Sequence, residues 1–441
     1  MRCKKLFIQG ARVVDPSANI DGEFDVLIED GFIKAVGQQC VFDKRTDINT
    51  INASGKILVP GLCDIHTHLR EPGFEWKETI QSGCETAISG GFTSLVCMPN
   101  TNPIIDNAQV VKFILDKGYE QNLCEIFPLG SISLGELGEQ MSPMLELKEA
   151  GCVGFSDDGK PVMSALLLRK AMEYSLMLET TLALHEEDKE LSNCGSMHEG
   201  LHSLKLGLKG IPGAAEDAII ARDIEIARLT GARVHICHLS SKRSVQLVKR
   251  AKEDGIKVTA EVTPHNLSFI DSDIGWFNTA FKMNPPLRSI EDREALLEGL
   301  VSGIIDCVAS DHAPHDSDSK NKEFDQASFG VIGLQTTLPV MMELVRQKHI
   351  TLKRAIAALT CDARKVFNLP SVKIVAGAKA NLTLIDPHLN FTLNDYSNRS
   401  KSCNSPFWER SFQGSACLTI VNGQIAFEAA GEVEPQVANY R

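Results

Sequence analysis

Short β-rich runs alternate with helical segments through the middle of the chain, and this alternation constrains the fold more than any other feature. Eight runs rich in apolar and β-branched residues, each ended by polar residues, cover 62–68, 92–98, 125–131, 152–157, 181–185, 233–239, 257–263 and 304–310. Between most of them lie segments with helical spacing, at 75–88, 108–115, 165–177, 216–229, 244–251 and 291–300. Eight strand–helix units in succession predict an α/β protein with a (β/α)8 barrel.

The two flanks of the chain have a different pattern. Residues 1–60 and 371–441 carry short strand signals separated by turns, for example at 25–37, 380–386 and 418–426, and no long helical pattern. The simplest arrangement is a small β-sandwich built from both flanks, which brings the chain ends together beside a barrel formed by residues 61–370.

Composition narrows the class of protein. A net charge of −12 and the lack of a Lys/Arg cluster argue against nucleic-acid binding. No apolar run is long enough to span a bilayer, and the first ten residues lack the apolar stretch of a signal peptide. The 13 cysteines are scattered singly, which is typical of buried thiols in a reducing compartment. We expect a cytoplasmic protein that binds a small molecule rather than a membrane, and a homodimer by default.

Four histidines stand where predicted strands end, which is where barrel enzymes place their active sites. His66 and His68 are two positions apart, so both side chains point to one face of the first strand and into the barrel. A hydrogen-bonded pair of core histidines is the alternative interpretation. His185 ends the fifth run and His238 the sixth. His235 lies three residues before His238, so we expect it to face outward as a structural histidine.

Two acidic motifs complete the candidate site. Asp158 lies in Phe-Ser-Asp-Asp-Gly at the end of the fourth run, and Asp311 follows the eighth run in Ser-Asp-His-Ala-Pro-His. Four imidazoles and two carboxylates suit zinc, and suit manganese or cobalt less well. Metal coordination lowers the pKa of water and polarises a carbonyl, so such a site can hydrolyse an amide. Asp311 is placed to accept the proton of the attacking water and return it to the leaving nitrogen.

Together these motifs resemble the amidohydrolase superfamily, and within it the class I bacterial dihydroorotases, over nearly the whole chain. The motifs that carry the resemblance are Pro60-Gly-Leu-Cys-Asp-Ile-His-Thr-His-Leu-Arg-Glu-Pro-Gly73, Met98-Pro-Asn-Thr101, Phe155-Ser-Asp-Asp-Gly159, Glu261-Val-Thr-Pro-His265, Lys282-Met-Asn-Pro-Pro-Leu-Arg288 and Ser310-Asp-His-Ala-Pro-His315. The chain departs from the family pattern at Thr67 and Asn266. The resemblance implies interconversion of N-carbamoyl-L-aspartate and L-dihydroorotate in pyrimidine synthesis.

The resemblance also implies a site with two zinc ions and a bridging hydroxide that attacks the ring amide. One ion would be held by His66, His68, Asp158 and Asp311. The second would be held by Asp158, His185 and His238, with Asp158 shared between the ions. Asp311 would act as the general acid and base. The implied substrate contacts are Arg70, Asn100 and His315 to the α-carboxylate, Asn284 to the ring or carbamoyl group, and the backbone near Phe329 and Gly330 to the ring.

Two other interpretations stay open. Allantoinases and dihydropyrimidinases resemble this chain, but they usually bridge their metals with a carboxylated lysine at the end of the fourth strand. This chain has Asp158 there, and Lys160, two residues further on, is a weaker candidate for such a bridge. Dihydroorotase-like chains that have lost their ligands serve as scaffolds for aspartate transcarbamoylase, whereas this chain retains every expected ligand. An active subunit that associates with aspartate transcarbamoylase is compatible with the sequence.

Overall fold

The computed structural model describes residues 5–38 and 48–429. Within these ranges the strands are, in chain order, β1 (Lys5–Asp15), β2 (Ile20–Glu29), β3 (Phe32–Gly37), β4 (Asn49–Asn52), β5 (Ile57–Pro60), β6 (Leu62–Thr67), β7 (Phe92–Cys97), β8 (Glu125–Ser131), β9 (Gly154–Ser156), β10 (Thr181–Leu184), β11 (Met197–His198), β12 (Gly210–Ile211), β13 (Arg233–Ile236), β14 (Val258–Val262), β15 (Cys307–Val308), β16 (Leu382–Thr392), β17 (Ser411–Val421) and β18 (Gln424–Glu428).

The same ranges contain long helices between the strands and several short ones. In chain order they are α1 (Ile80–Ser89), α2 (Ala108–Gln121), α3 (Met144–Ala150), α4 (Ala165–Met177), α5 (Lys189–Ser192), α6 (Leu201–Leu206), α7 (Ala214–Thr230), α8 (Lys242–Glu253), α9 (Pro264–Ser268), α10 (Ile290–Ser302), α11 (Ser317–Lys320), α12 (Leu334–Arg346), α13 (Leu352–Leu359) and α14 (Cys361–Val366).

Eight parallel strands form the barrel, in the order β6, β7, β8, β9, β10, β13, β14 and β15. A parallel bridge between Thr67, at the end of β6, and His312, just after β15, joins the first strand to the last. The buried carboxylate of Asp64 strengthens this closure, because it accepts a hydrogen bond from the backbone N–H of Ser310 at 3.1 Å. Every run that the sequence analysis assigned to a barrel strand contains one, so the (β/α)8 prediction is confirmed.

The helices agree with the prediction to different degrees. α4 has the predicted bounds, whereas the prediction of helix from residue 75 was wrong, because α1 begins at Ile80. Thr79 sets this start: its hydroxyl accepts from the backbone N–H of Ser82, whose side chain in turn accepts from the N–H of Thr79. The helices α3, α12, α13 and α14 were not predicted, and α12 carries Pro339 within it.

The flanks of the chain form one mixed sheet, in the order β18, β17, β16, β5, β1, β2, β3, with β4 beside β1. β5 pairs with β1 on one side and with β16 on the other, so it joins the two flanks. Buried apolar side chains from several strands of this sheet form one cluster, which includes Ile8, Val26, Leu58, Leu382 and Ile420. This sheet is consistent with the predicted sandwich. The chain ends lie outside the described residues, and the domain boundaries at 60/61 and 370/371 stay predictions.

The described residues show the state of the cysteines and the character of the helices. The cysteines there are free thiols and most of them are buried, for example Cys63, Cys97 and Cys307. Residues 5–38 and 48–429 contain no helix that combines the length and the apolar character needed to cross a bilayer.

Candidate active site

A cavity of about 550 Å³ opens where the barrel strands end. Its walls include all the predicted substrate contacts, namely Arg70, Asn100, Asn284, His315, Phe329 and Gly330. The predicted ligands on its surface are His68, Asp158, His185, His238 and Asp311, while His66 is fully buried beneath them. The structure therefore brings every predicted site residue to one place.

Asp158 lies at the centre of this site. Its Oδ1 is 3.4 Å from His66 Nε2, 3.5 Å from His185 Nδ1 and 3.5 Å from His238 Nε2. Its Oδ2 is 3.4 Å from His68 Nε2. All five side chains are buried. Four imidazoles, supplied by three different strand ends, thus converge on one carboxylate.

Asp311 and the spacing between the histidines extend this cluster. Asp311 Oδ1 lies 3.2 Å from His68 Nε2 and 3.6 Å from His66 Nε2, and His185 Nδ1 lies 3.1 Å from His238 Nε2. Two ligands of a tetrahedral zinc ion, each about 2 Å from the metal, are separated by roughly 3.3 Å. These separations therefore fit atoms that coordinate a shared ion.

The chemistry of the donor set gives a second test of fit. His66 Nε2 and Asp158 Oδ1 are buried and have no hydrogen-bond partner among the residues that the structure describes. Buried polar atoms are nearly always satisfied, so this pair is expected to bind something else. Burial alone would lower the pKa of His66, but Asp158, Glu261 and Asp311 outweigh it and raise that pKa well above its ordinary value. The carboxylates thus favour a cation here, and the residues fit a metal site.

Three residues of the site, each shortly after the end of a barrel strand, adopt a left-handed backbone conformation. Arg70, His238 and Asp311 have φ values of 64°, 33° and 45°. Non-glycine residues seldom adopt positive φ, and such residues cluster at functional sites. All three residues follow a barrel strand and line the cavity, so the regular alternation of strand faces does not decide where their side chains lie.

The prediction that His235 faces outward was wrong. Its ring is buried, and its Nε2 lies 3.1 Å from Glu261 Oε2, while Glu261 Oε1 lies 2.6 Å from His66 Nδ1. The prediction failed because β13 ends at Ile236 and His238 has positive φ, so the alternation of faces does not continue from one histidine to the other. His235 instead lies behind His66, on the far side of Glu261.

Glu261 orients His66 from behind. Burial alone would raise the pKa of its carboxyl, but His66 and His235 outweigh this effect and hold the pKa well below its ordinary value. An ionised carboxylate only accepts hydrogen bonds, so His66 Nδ1 carries a proton and Nε2 is left free to face Asp158. Glu261 belongs to the motif 261–265, but this role was not predicted from the sequence.

The other imidazoles of the cluster have similar partners. His68 Nδ1 lies 2.8 Å from Asn100 Oδ1, and His185 Nε2 lies 3.2 Å from Glu187 Oε2. Asn284 Nδ2 donates to the same Glu187 oxygen at 2.8 Å. Glu187 was not predicted from the sequence, because it lies in the acidic run 186–188, which resembles a solvated loop. The available signal was its position two residues after a histidine at a strand end.

One end of the cavity is cationic. Arg70 donates from Nε to the Pro314 carbonyl at 3.1 Å, and its NH2 lies 3.4 Å from His315 Nε2. Lys77 Nζ is 3.2 Å from His315 Nδ1. Burial, together with Arg70 and Lys77, lowers the pKa of His315 to about 2, so its ring is neutral. Within the described ranges no carboxylate forms a salt bridge with Arg70, so this end is suited to an anionic ligand. Lys77 was not among the site residues predicted from the sequence.

Lys160 lies outside the cluster. Its ammonium group is 3.7 Å from Glu136 Oε2, its side chain is about half exposed, and it is not part of the cavity wall. It is therefore poorly placed to bridge ions held by the histidines.

Known proteins resemble this chain both in sequence and in fold. Residues 55–244 match a family model described as Dihydro-orotase-like. Two relatives named Dihydroorotase are those of Trichlorobacter lovleyi, 44% identical over 422 residues and covering 96% of this chain and 99% of that protein, and of Anaeromyxobacter sp. (strain K), 43% identical over 425 residues and covering 96% and 98%.

Two solved structures are similar in fold. L-hydantoinase (dihydropyrimidinase) from Arthrobacter aurescens aligns with a TM-score of 0.84 at 24% identity, covering 98% of each chain. Dihydropyrimidinase from Brevibacillus agri aligns with a TM-score of 0.82 at 21% identity, covering 96% of this chain and 95% of that chain. At these identities the two structures support the fold alone.

Proposed function

Because this chain belongs to the dihydroorotase family, we propose that it catalyses the reversible hydrolysis of L-dihydroorotate to N-carbamoyl-L-aspartate, a step of pyrimidine synthesis. The observation that carries the proposal is the convergence of four buried imidazoles on Asp158, in the same cavity as the cationic group of Arg70. A metal-dependent amide hydrolase needs the first feature, and a substrate with its own carboxylate needs the second.

We assign two zinc ions to the cluster. His66, His68, Asp158 and Asp311 would hold one ion, and Asp158, His185 and His238 the other, with Asp158 shared. Bound zinc would lower the pKa of water and polarise the amide carbonyl. The hydrogen bonds of Glu261, Asn100 and Glu187 to the outer ring nitrogens support this assignment, because such partners orient metal-binding histidines.

Asp311 is the proposed general acid and base. It lies on the cavity surface and has a carboxylate oxygen beside His68 and His66. In hydrolysis it would accept a proton from the attacking water and deliver it to the ring nitrogen as the carbon–nitrogen bond breaks. In cyclisation the same proton would move in the opposite direction. Because ring formation consumes a proton, the equilibrium shifts towards dihydroorotate as the pH falls.

Arg70, His315 and Asn100 are the proposed contacts of the substrate's α-carboxylate. A guanidinium group presents a planar two-pronged donor to a carboxylate. Asn100 uses its amide oxygen with His68, which leaves its NH2 group available to a ligand. Asn284 is proposed to contact the ring or the carbamoyl group, and the backbone of Phe329 and Gly330 to contact the ring. A homodimer and an association with aspartate transcarbamoylase stay predictions.

The proposal is tested by incubating the purified chain with L-dihydroorotate and following the loss of its ultraviolet absorbance. Zinc is quantified on the same sample, and allantoin and dihydrouracil serve as control substrates. We expect turnover of dihydroorotate alone, with about two zinc ions per chain. Turnover of a control substrate would favour the allantoinase or dihydropyrimidinase alternative. A zinc-loaded chain that turns over none of the three would favour the scaffold alternative.

A further inference from the structure

Two buried lysines lie beside the cavity, outside the histidine cluster. Lys282 belongs to the loop after β14 and is only 2% exposed, and Lys320 ends α11 in the loop after β15 and is 6% exposed. Neither forms a salt bridge with any residue in the ranges 5–38 and 48–429. A buried ammonium group without a carboxylate partner is costly unless hydrogen bonds compensate for its lost hydration, so the partners of these two groups are informative.

The ammonium group of Lys320 donates all its hydrogen bonds to backbone carbonyls. Nζ donates to the carbonyl oxygens of Lys282 at 3.1 Å, Ser328 at 2.9 Å and Gly330 at 3.1 Å. A lysine has three N–H donors, and these three bonds account for all of them. Lys320 therefore joins the loop that carries Asn284 to the loop that carries Phe329 and Gly330.

Other contacts strengthen the same junction. The N–H of Gly330 donates to the Lys282 carbonyl at 3.0 Å, the oxygen that Lys320 also binds. Asn404 Nδ2 donates to the Gly330 carbonyl at 3.0 Å, and its Oδ1 accepts from the backbone N–H of His315 at 3.1 Å. The position of Gly330 is thus coupled to that of His315 in the cationic end of the cavity.

Lys282 supports the same wall from its other side. Its Nζ lies 4.4 Å from the centre of the Phe329 ring and donates to the Asp325 carbonyl at 3.0 Å. The backbone at Gly330 packs tightly against its neighbours. Its φ is +131°, and a Cβ there would lie 2.9 Å from the Ala313 Cβ and 3.0 Å from His315 Cδ2. A small movement of this loop would therefore change the shape of the cavity directly.

We propose that Lys320 is a positioning residue for the substrate's ring: it fastens the backbone at residues 282, 328 and 330 and so holds the Phe329–Gly330 wall in place. The proposal rests on the proposed function, because it assumes that a ring binds against this wall. Lys320 acts through the wall and touches neither the reacting atoms nor the histidine cluster. Its loss should therefore weaken substrate binding more than the chemical step.

The test compares Lys320→Met with Lys322→Met in the zinc-loaded full chain. Methionine keeps an unbranched side chain of similar length but has no donor. Lys322 lies on the same loop, and its side chain is exposed. We expect Lys320→Met to raise the KM for L-dihydroorotate about tenfold and to change kcat less than about threefold, with neither value altered in Lys322→Met. Thermal unfolding is recorded for each variant.

Hydrogen exchange gives a readout that does not depend on activity. Peptides that cover residues 324–331 should exchange faster in Lys320→Met than in the wild type, and at the wild-type rate in Lys322→Met. Lys320→Arg restores the charge, but its planar group cannot reach three carbonyls in the same way, so its KM should lie between those of the wild type and Lys320→Met. If Lys320→Met does not fold, Lys320→Arg carries the test by itself.

A KM and an exchange rate in Lys320→Met equal to those of Lys322→Met would overturn the proposal, as would a defect confined to kcat. If Lys320→Met does not fold, a KM and an exchange rate in Lys320→Arg equal to those of Lys322→Met would overturn the proposal in the same way. If the wild type does not turn over dihydroorotate, the proposed function fails and this role fails with it. An unchanged KM and exchange rate in the variants of an active wild type would concern Lys320 alone, so the two failures are distinguishable.

Discussion

Replacing Glu261 by glutamine should weaken zinc binding about tenfold, and replacing it by methionine about a hundredfold. Glu261 accepts hydrogen bonds from His66 Nδ1 at 2.6 Å, from His235 Nε2 at 3.1 Å and from the backbone N–H of His238 at 3.3 Å. Two of these donors belong to predicted zinc ligands. The loss of such an orienting partner typically costs 10–100-fold in metal affinity, or about 1.4–2.7 kcal/mol.

The geometry around His235 distinguishes the two substitutions. A glutamine offers one oxygen, which can accept from His66, and one NH2 group, which would face His235. His235 can accept this donor if its proton moves to Nδ1, because Nδ1 lies 2.9 Å from the Thr259 hydroxyl, a group that both donates and accepts. His66 then keeps its orientation, and the variant loses mainly the negative charge. Methionine accepts a hydrogen bond from neither ring, so the loss of zinc affinity in Glu261→Met should be about a hundredfold.

The assay is a competition between each metal-free variant and a chromogenic zinc chelator at fixed pH. Glu298→Gln makes the same chemical change on the exposed face of α10 and serves as the matched control. Thermal unfolding of the metal-free proteins separates a loss of affinity from a loss of fold, since an unsatisfied buried group costs about 1–3 kcal/mol. Zinc affinity within about twofold of the wild type in Glu261→Met would refute the argument that this carboxylate orients the site.

Three further predictions concern other parts of the protein. Asp311→Asn should retain at least one zinc ion and lose about 10²–10⁴-fold in kcat, measured on metal-quantified protein; near-normal turnover would remove Asp311 from the base role. Arg70→Lys should raise the KM for dihydroorotate about tenfold at unchanged zinc content, because lysine lacks the two-pronged donor; an unchanged KM would contradict the carboxylate contact. Burial and the nearby Asp157 raise the pKa of Glu136 to about 8, so the folded protein retains a proton that the unfolded chain releases, and stability falls as the pH rises from about 4.5 to about 8. Glu136→Gln should therefore raise the free energy of unfolding by about 1–3 kcal/mol near pH 8 and have little effect near pH 5, as measured by urea denaturation; an equal gain at both pH values would contradict the assigned cause.

The barrel and the placement of the candidate ligands could be predicted because both depend on local pattern. Apolar runs mark buried parallel strands, and polar residues that end these runs meet at one end of a barrel. His66, His185 and Asp158 are far apart in the sequence, yet the topology alone requires their strand ends to converge. Their presence in one cluster follows from that topology.

The supporting contacts could not be predicted, because they depend on how distant segments pack. Glu261 meets His66 across 195 positions of sequence, and Lys77 meets His315 across 238. No local pattern distinguishes these charged residues from solvated ones. His235 was misplaced for a different reason: the rule of alternating faces holds only inside a regular strand, and β13 ends at Ile236.

The position of β5 between β1 and β16 has a consequence for the order of folding. β5 pairs with β1, which is made early, and with β16, which is made only after all eight barrel strands have left the ribosome. During synthesis one edge of β5 therefore stays unpaired while the barrel is completed, and such an edge is a template for pairing with other chains. β5 leads directly into β6, the strand that carries His66. The edge is covered only when β16 pairs with it, so the segment that leads into the active site stays open to misassociation until the last strands are made.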